Sequence, residues 1–243
     1  MILRKGSRGE DVRNIQEYLT TLGYDTNGVD GIFGNGTKNA LIHYGEEVLS
    51  SSERDGELLT EIDGFSAFCI LMDYYDKVTG IEDVAVEIPW IESSGEMYLE
   101  QEIKGDSHNP EILKIWKDAK LAGIKDDETP WCAGAVSAWL ERAGIKSMRS
   151  AWARDYLKFG DKLLEPRFGC IVVFERGSGG HVGFVTGISE DGKQIRCLGG
   201  NQGDTVNERM FDVSRVLGYR QPEGFDLPEV PVVGKGKVST NEA

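Results

Sequence analysis

The hydrophobic pattern of this chain changes period once, near Gly169, and that change limits the folds open to it. Before it, apolar residues recur at helical spacing; after it, they follow strand patterns. The run CIVVFE (170–175) is β-branched and apolar. The run HVGFVTGI (181–188) puts Val182, Phe184, Thr186 and Ile188 on one face. GSGG and SEDGK separate the runs as turns, and Asp191-Gly192 is a strong hairpin signal. QIRCLGG forms a third strand, with TVNERMF and RVLGYR as two more. Helices followed by an antiparallel sheet define an α+β chain.

The helical part begins with a small module. Ser7 and Glu10 have capping-box spacing, Val12, Ile15, Leu19 and Leu22 mark one helical face, and Gly23 ends it. The glycine-rich loop TNGVDGIFGNGT follows. Its glycines permit the turn, Phe33 fills the core and Thr37 caps a second helix running to about Val48. SSSERDG (50–56) reads as a break, and a third helix from about Gly64 carries Phe65, Phe68, Met72 and Tyr75. The expected organisation is a three-helix domain over 1–78, a linker over 79–100, a second domain over 101–222 and a flexible tail over 223–243.

Composition narrows the chemistry. The chain has 243 residues and a net charge of −14, shared by both parts, which opposes nucleic-acid binding and attraction to anionic membranes. Four cysteines (69, 132, 170 and 197) form no paired CxxC motif, and three histidines (43, 108 and 181) form no HExxH motif. No metal or cofactor is expected. MILRKGSRGEDV lacks the apolar segment of a signal peptide, and no run is long enough to span a membrane. A soluble monomer, made in the cytoplasm, is expected.

The stretch TPWCAGAVSAWLERAG (129–144) carries the chemistry. Thr129 as N-cap and Pro130 at the first helical position put Cys132 in the first turn. The helix dipole and free N–H groups there predict a lowered thiol pKa and a nucleophile. A base is then needed, and His181 opens a strand. The Asp191-Gly192 hairpin places His181 opposite position 200 or 202, depending on loop length, with Asn201 between them. Whether Asn201 or Gln202 shares the histidine's face stays open, because a one-residue slip reverses it. His108, in SHNP, is a competing base. Cys69, Cys170 and Cys197 read as packing residues. Trp131, Trp139 and Trp152 read more readily as core than as sugar platforms, while Trp90 or Trp152 could line a cleft.

The segments LRKGSRGEDVRNIQEYLTTLGY and VDGIFGNGTKNAL resemble the three-helix peptidoglycan-binding domain of cell-wall hydrolases, over roughly residues 2–75. TPWCAGAVSAWLERAG, FGCIVVFERGSGGHVGFV and LGGNQGDTV resemble the CHAP and NlpC-like (papain-like) cysteine hydrolases, more closely those of phage lysis enzymes, over roughly 86–222. The resemblance implies helices packed on an antiparallel sheet. It makes Cys132 the nucleophile, His181 the general base and acid, and Asn201 the residue that orients the imidazole, with the Cys132 N–H in an oxyanion hole. Candidate substrate contacts are Trp131 and Gln202, with Asp30 and Phe33 in the N-terminal loop, where a structural role comes first.

The implied partner is bacterial peptidoglycan, and the implied function is cleavage of an amide in its peptide stem or cross-link. An endolysin reaching the wall through a holin is the expected setting. The alternatives are an interbacterial toxin effector and a non-catalytic wall-binding protein. A glycosidase using Glu92, Glu96 or Glu102 finds no supporting pattern.

Overall fold

The computed structural model describes residues 1–49 and 59–240. They form two compact units, Met1–Glu82 and Asp83–Ala243. The chain is α+β, with its helices ahead of the main sheet.

The first unit holds α1 (Glu10–Leu22), α2 (Asn35–Tyr44) and α3 (Gly64–Thr79) around Ile15, Tyr18, Leu19, Leu41, Ile70 and Tyr74. The expected Ser7–Glu10 capping box does not form. Gly9 caps α1 without a side chain, and the Ser7 hydroxyl instead accepts from the Arg4 N–H at 3.1 Å. Gly23 adopts the left-handed conformation at the other end, as its position suggests. Thr37 is inside α2 and not its cap. Its hydroxyl accepts from the buried Gln16 amide at 3.0 Å. The same amide nitrogen donates to Asp30 (3.0 Å) and the Ile32 carbonyl (3.1 Å), while its oxygen accepts from the Gly31 N–H (2.7 Å). One glutamine thus shapes the whole DGIFG loop. The expected break at SSSERDG lies outside the described residues.

The second unit packs α4 (Val84–Glu87), α5 (Pro89–Gly95), α6 (Pro110–Asp118) and α7 (Cys132–Arg142) with a seven-stranded sheet. Its strands are β1 (Asp161–Leu163), β2 (Ile171–Arg176), β3 (Gly179–Ser189), β4 (Gln194–Gly199), β5 (Asn207–Asp212), β6 (Val216–Gln221) and β7 (Val232–Val233). The order is β1-β6-β2-β3-β4-β5, all antiparallel, and β7 pairs parallel to β3.

Two segments differ from the expected organisation. Residues 79–100 are not an open connection over most of their length. They contain α4 and α5, and the buried Trp90 indole donates to the Gly169 carbonyl at 2.7 Å. The tail is tied down as far as residue 240. Pairing between β2 and β3 ends at Phe184, which leaves the far half of β3 open on that side. β7 fills the gap, with the Ile188 N–H donating to Pro231 and Lys235 meeting Asp191 at 2.9 Å. An open strand edge recruits a partner, and here the partner is the chain's own tail.

Helix α7 is the centre of this unit, buried from Cys132 through Leu140. Its Gly134 is needed for close approach: a β-carbon there would lie 2.5 Å from the buried Trp116 ring of α6. Glu141, in the last turn, anchors the loop beyond the helix. It accepts from the Ser147 N–H and hydroxyl and from Arg149 at 2.9 and 3.2 Å. The Arg149 bonds, with those from Ser147, hold its carboxyl at about 2, below the ordinary 4.5.

Two outcomes follow from α7. Gly134→Ala should lower the thermal midpoint, although alanine is the better helix former. The clash costs about 1–3 kcal/mol and exceeds the roughly 1 kcal/mol of propensity gained. The depressed Glu141 carboxyl contributes stability above its unfolded pKa, and this is lost as pH falls toward its folded value of about 2. Denaturant titrations of Glu141→Gln should therefore show a shallower loss of stability over that acid range than the parent.

Candidate active site

Cys132 is the first residue of α7, with Trp131 as N-cap. The helix begins later than its Thr129-Pro130 signal suggests, because the Asp126 carboxylate accepts the Thr129 N–H at 2.7 Å and turns the preceding loop. The nucleophile candidate is thereby moved to the very start of the helix. Its thiol is buried, and burial pushes its pKa up, not down as the helix position alone predicts. Opposing that, the nearby backbone N–H groups of Val182, Ala133 and Cys132 itself and the charge of Arg176 favour the thiolate. Desolvation outweighs them.

The Val182 contact places Cys132 against the start of β3, one residue from His181. His181 is buried, with its imidazole nearly parallel to Phe211 (centroids 5.3 Å apart) and to Phe174 (6.2 Å). Its Nε2 lies 2.9 Å from Gln202 Oε1. The amide end is not interchangeable. Gln202 Nε2 donates to the carbonyls of Asn207 (2.6 Å) and Cys197 (3.3 Å) and to Asn207 Oδ1 (3.1 Å). Its oxygen therefore accepts from His181 Nε2–H, which leaves Nδ1 as the basic nitrogen of the neutral ring.

The amide in contact with the imidazole is that of Gln202, and Asn201 makes no hydrogen bond to it. Next to the hairpin, Ile188 pairs with Ile195 and Gly187 with Arg196. A bulge at Thr186 then shifts the pairing to Val185–Cys197 and Phe184–Leu198. Continued, that register would set Asn201 level with His181. But β4 ends at Gly199, and Asn201 turns the chain with a φ of 57°. The turn brings the next side chain, Gln202, back onto the imidazole. Asn201 Oδ1 is buried and makes no hydrogen bond among the described residues. Gln202, expected as a substrate contact, is buried, and its side-chain oxygen meets the imidazole.

Trp131, the other candidate substrate contact of this unit, is also buried. It is fully buried against Gly200 and Ala135, with its indole 3.4 Å from Glu102 Oε2. Phe33 is buried in the first unit. Asp30 is exposed there, but its Oδ1 already accepts from Gln16 and from the Ile32 N–H, which hold its carboxyl low. His108 pairs with the buried Asp127 at 2.6 Å and clamps the loop ahead of Cys132. Cys170 and Cys197 are packing residues, as their strand positions suggest.

A cleft of about 420 Å³ opens over Cys132. Thr129 and Pro130 form one side; the 151–153 loop, Arg176 and the glycines 179–180 form the rest. Trp152 stands at its rim, 73% exposed, and is not core. Arg176 was not singled out by the sequence reading. The signal was available, since Arg176 ends β2 directly before the glycine turn that leads to His181.

Among known families, residues 8–44 match the model described as a putative peptidoglycan binding domain. Residues 124–201 match the model of the CHAP domain. The second match starts in the loop before Cys132 and contains both Cys132 and His181, stopping one residue short of Gln202. The chain has the modular order of a peptidoglycan-binding domain followed by a CHAP domain. No solved structure matches it. No helix among the described residues is long and apolar enough to cross a membrane.

Iodoacetamide should separate the cysteines of the folded protein. Of the three cysteines of the second unit, Cys132 opens onto the cleft and should be alkylated ahead of the other two, faster as pH rises. Cys170, its thiol pushed up to about 12 by burial, and the buried Cys197 should react only on unfolding. Peptide mass mapping checks this order, and early labelling of Cys170 would contradict it.

Proposed function

We propose that this chain of a peptidoglycan-binding domain and a CHAP domain is a cysteine-dependent peptidoglycan hydrolase that cleaves an amide of the peptide stem or cross-link. The two family matches support the coarse class, a peptidoglycan hydrolase. The mechanism rests on one observation above the others: Cys132 lies on the Val182 N–H, beside a His181 whose Nε2 is bound to Gln202.

In this reading, His181 Nδ1 takes the proton of the Cys132 thiol as sulfur attacks the substrate carbonyl. Gln202 holds the tautomer that makes Nδ1 basic, and it supports the imidazolium once the proton arrives. The backbone N–H of Cys132, at the start of α7, turns from the thiol to the developing oxyanion. Collapse of the tetrahedral species breaks the C–N bond. His181 gives its proton to the leaving amine, and a thioester remains on Cys132. Water, deprotonated by His181, then releases the acid and restores the thiol. No step calls on a metal ion.

The exposed Trp152 offers a flat apolar face at the cleft rim, suited to a sugar ring or an aliphatic stretch of peptide. A weak wall binder joined to the hydrolase raises the effective concentration of the cleft at the polymer. The setting we propose is that of a phage endolysin lysing its host, with wall access supplied by a separate membrane lesion such as a holin. In that setting, expression confined to the cytoplasm leaves cells intact, whereas export to the periplasm lyses them.

Mass spectrometry of digested peptidoglycan tests the chemistry. Wild type should release new amines and carboxylates at one amide position, and Cys132→Ala should release none. Gln202→Ala should lower kcat by about 10²-fold, while Asn201→Gly, which keeps the left-handed backbone, leaves it nearly unchanged. Trp152→Ala should raise KM more than it lowers kcat. New reducing sugar ends from the Cys132→Ala protein would point instead to a glycosidase.

A further inference from the structure

We infer that Phe211 is a positioning residue of the reaction, whose ring fixes the plane of the His181 imidazole and so the direction in which Nδ1 is presented to the Cys132 thiol. The inference rests on the hydrolase reading above and adds a residue that acts without touching substrate.

A hydrogen bond to one ring nitrogen fixes one atom of an imidazole. Gln202 holds Nε2, but the χ2 torsion of histidine is broad, and the ring can still turn about that contact. Its plane must be held through its faces. Phe174, directly across the β2–β3 ladder from His181, lies nearly parallel to it at 6.2 Å and 18°. Phe211, from β5, lies closer, at 5.3 Å and 19°. All three rings are fully buried.

The contact from Phe211 is a tertiary one. Two strands, β3 and β4, separate β2 from β5 in the sheet. In a flat sheet Phe174 and Phe211 would stand about 14 Å apart. Their ring centroids are 4.5 Å apart, so the sheet curls and the three rings meet on its concave side. Arg215, just beyond β5, ties this curl together. Its guanidinium lies over the Phe211 ring at 5.5 Å and donates to the carbonyl of Glu175, next to Phe174, through Nε (3.2 Å) and Nη2 (3.0 Å). Phe211 is therefore fixed from β2 as well as from its own strand. It lies outside the cleft walls, so its ring acts on the reaction through His181. Leucine at 211 would keep an apolar contact but offer no flat face to the imidazole.

Two measurements test this. The first needs no variant of Phe211. In proton–carbon spectra of histidine-labelled protein, the three histidines give three sets of ring signals, and His181 is assigned by its loss in His181→Gln. The aromatic faces beside it should shift its ring protons upfield of those of His43 and His108; equal shifts overturn the inference. The second is kinetic, on soluble disaccharide–peptide fragments. Phe211→Leu should lower kcat about tenfold or more with KM within about twofold, and should move the His181 signals toward the other two. Combined with Gln202→Ala, its loss should be smaller than the product of the single losses, because both act through one ring. Phe168→Leu, the same change at another fully buried phenylalanine, should lower the thermal midpoint comparably and leave kcat near wild type. Full kcat in Phe211→Leu, or an equal loss in Phe168→Leu, overturns the assignment and leaves the hydrolase reading standing. Turnover by Cys132→Ala overturns both.

Discussion

The Gln202 amide is the contact on which the arrangement around His181 depends. Its nitrogen end is committed to the carbonyls of Cys197 and Asn207, so its oxygen end must face His181. The backbone of two adjacent strands thereby dictates which imidazole nitrogen carries the proton. The amide is buried, and reversing it would set N–H groups against N–H and oxygen against oxygen. The tautomer is a property of the sheet as much as of the histidine.

Opposing demands meet at Cys132. Helix α7 is buried because it forms the core between α6 and the sheet, and a thiol at its first residue is necessarily desolvated. Backbone N–H groups from both α7 and β3 converge on the sulfur and offset part of that penalty. Small residues at 151, 153, 179 and 180 keep a path open where larger side chains would seal it. The first unit solves a similar problem on its own: one buried glutamine, Gln16, satisfies the polar groups of a glycine-rich loop that would otherwise collapse or open.

Much of the fold was legible along the chain, for identifiable reasons. The change from helical to strand patterning reflects which faces must be buried, and it placed the helices and strands in their right order. Cys132 and His181 stood out because each was expected near the start of an element; in the structure Cys132 is the first residue of α7 and His181 the third of β3. Element ends were harder to read. Asp126 moves the start of α7, and Gly9 replaces the expected Ser7 cap, because a neighbouring hydrogen bond outcompetes the local signal. The tail reads as loose from its prolines, yet it completes β3, since an open strand edge is a tertiary fact with no local signature.

Residue type and spacing by themselves determined that the chain is α+β, that a cysteine lies in the first turn of a helix, and that a histidine lies near the start of a strand. Those features follow from local periodicity and capping chemistry. Only the tertiary structure decided that Gln202, and not Asn201, holds the imidazole. That choice hangs on a one-residue bulge at Thr186 and a left-handed turn at Asn201. Each displaces side chains by a single position, and in a β-sheet a single position is the difference between one face and the other.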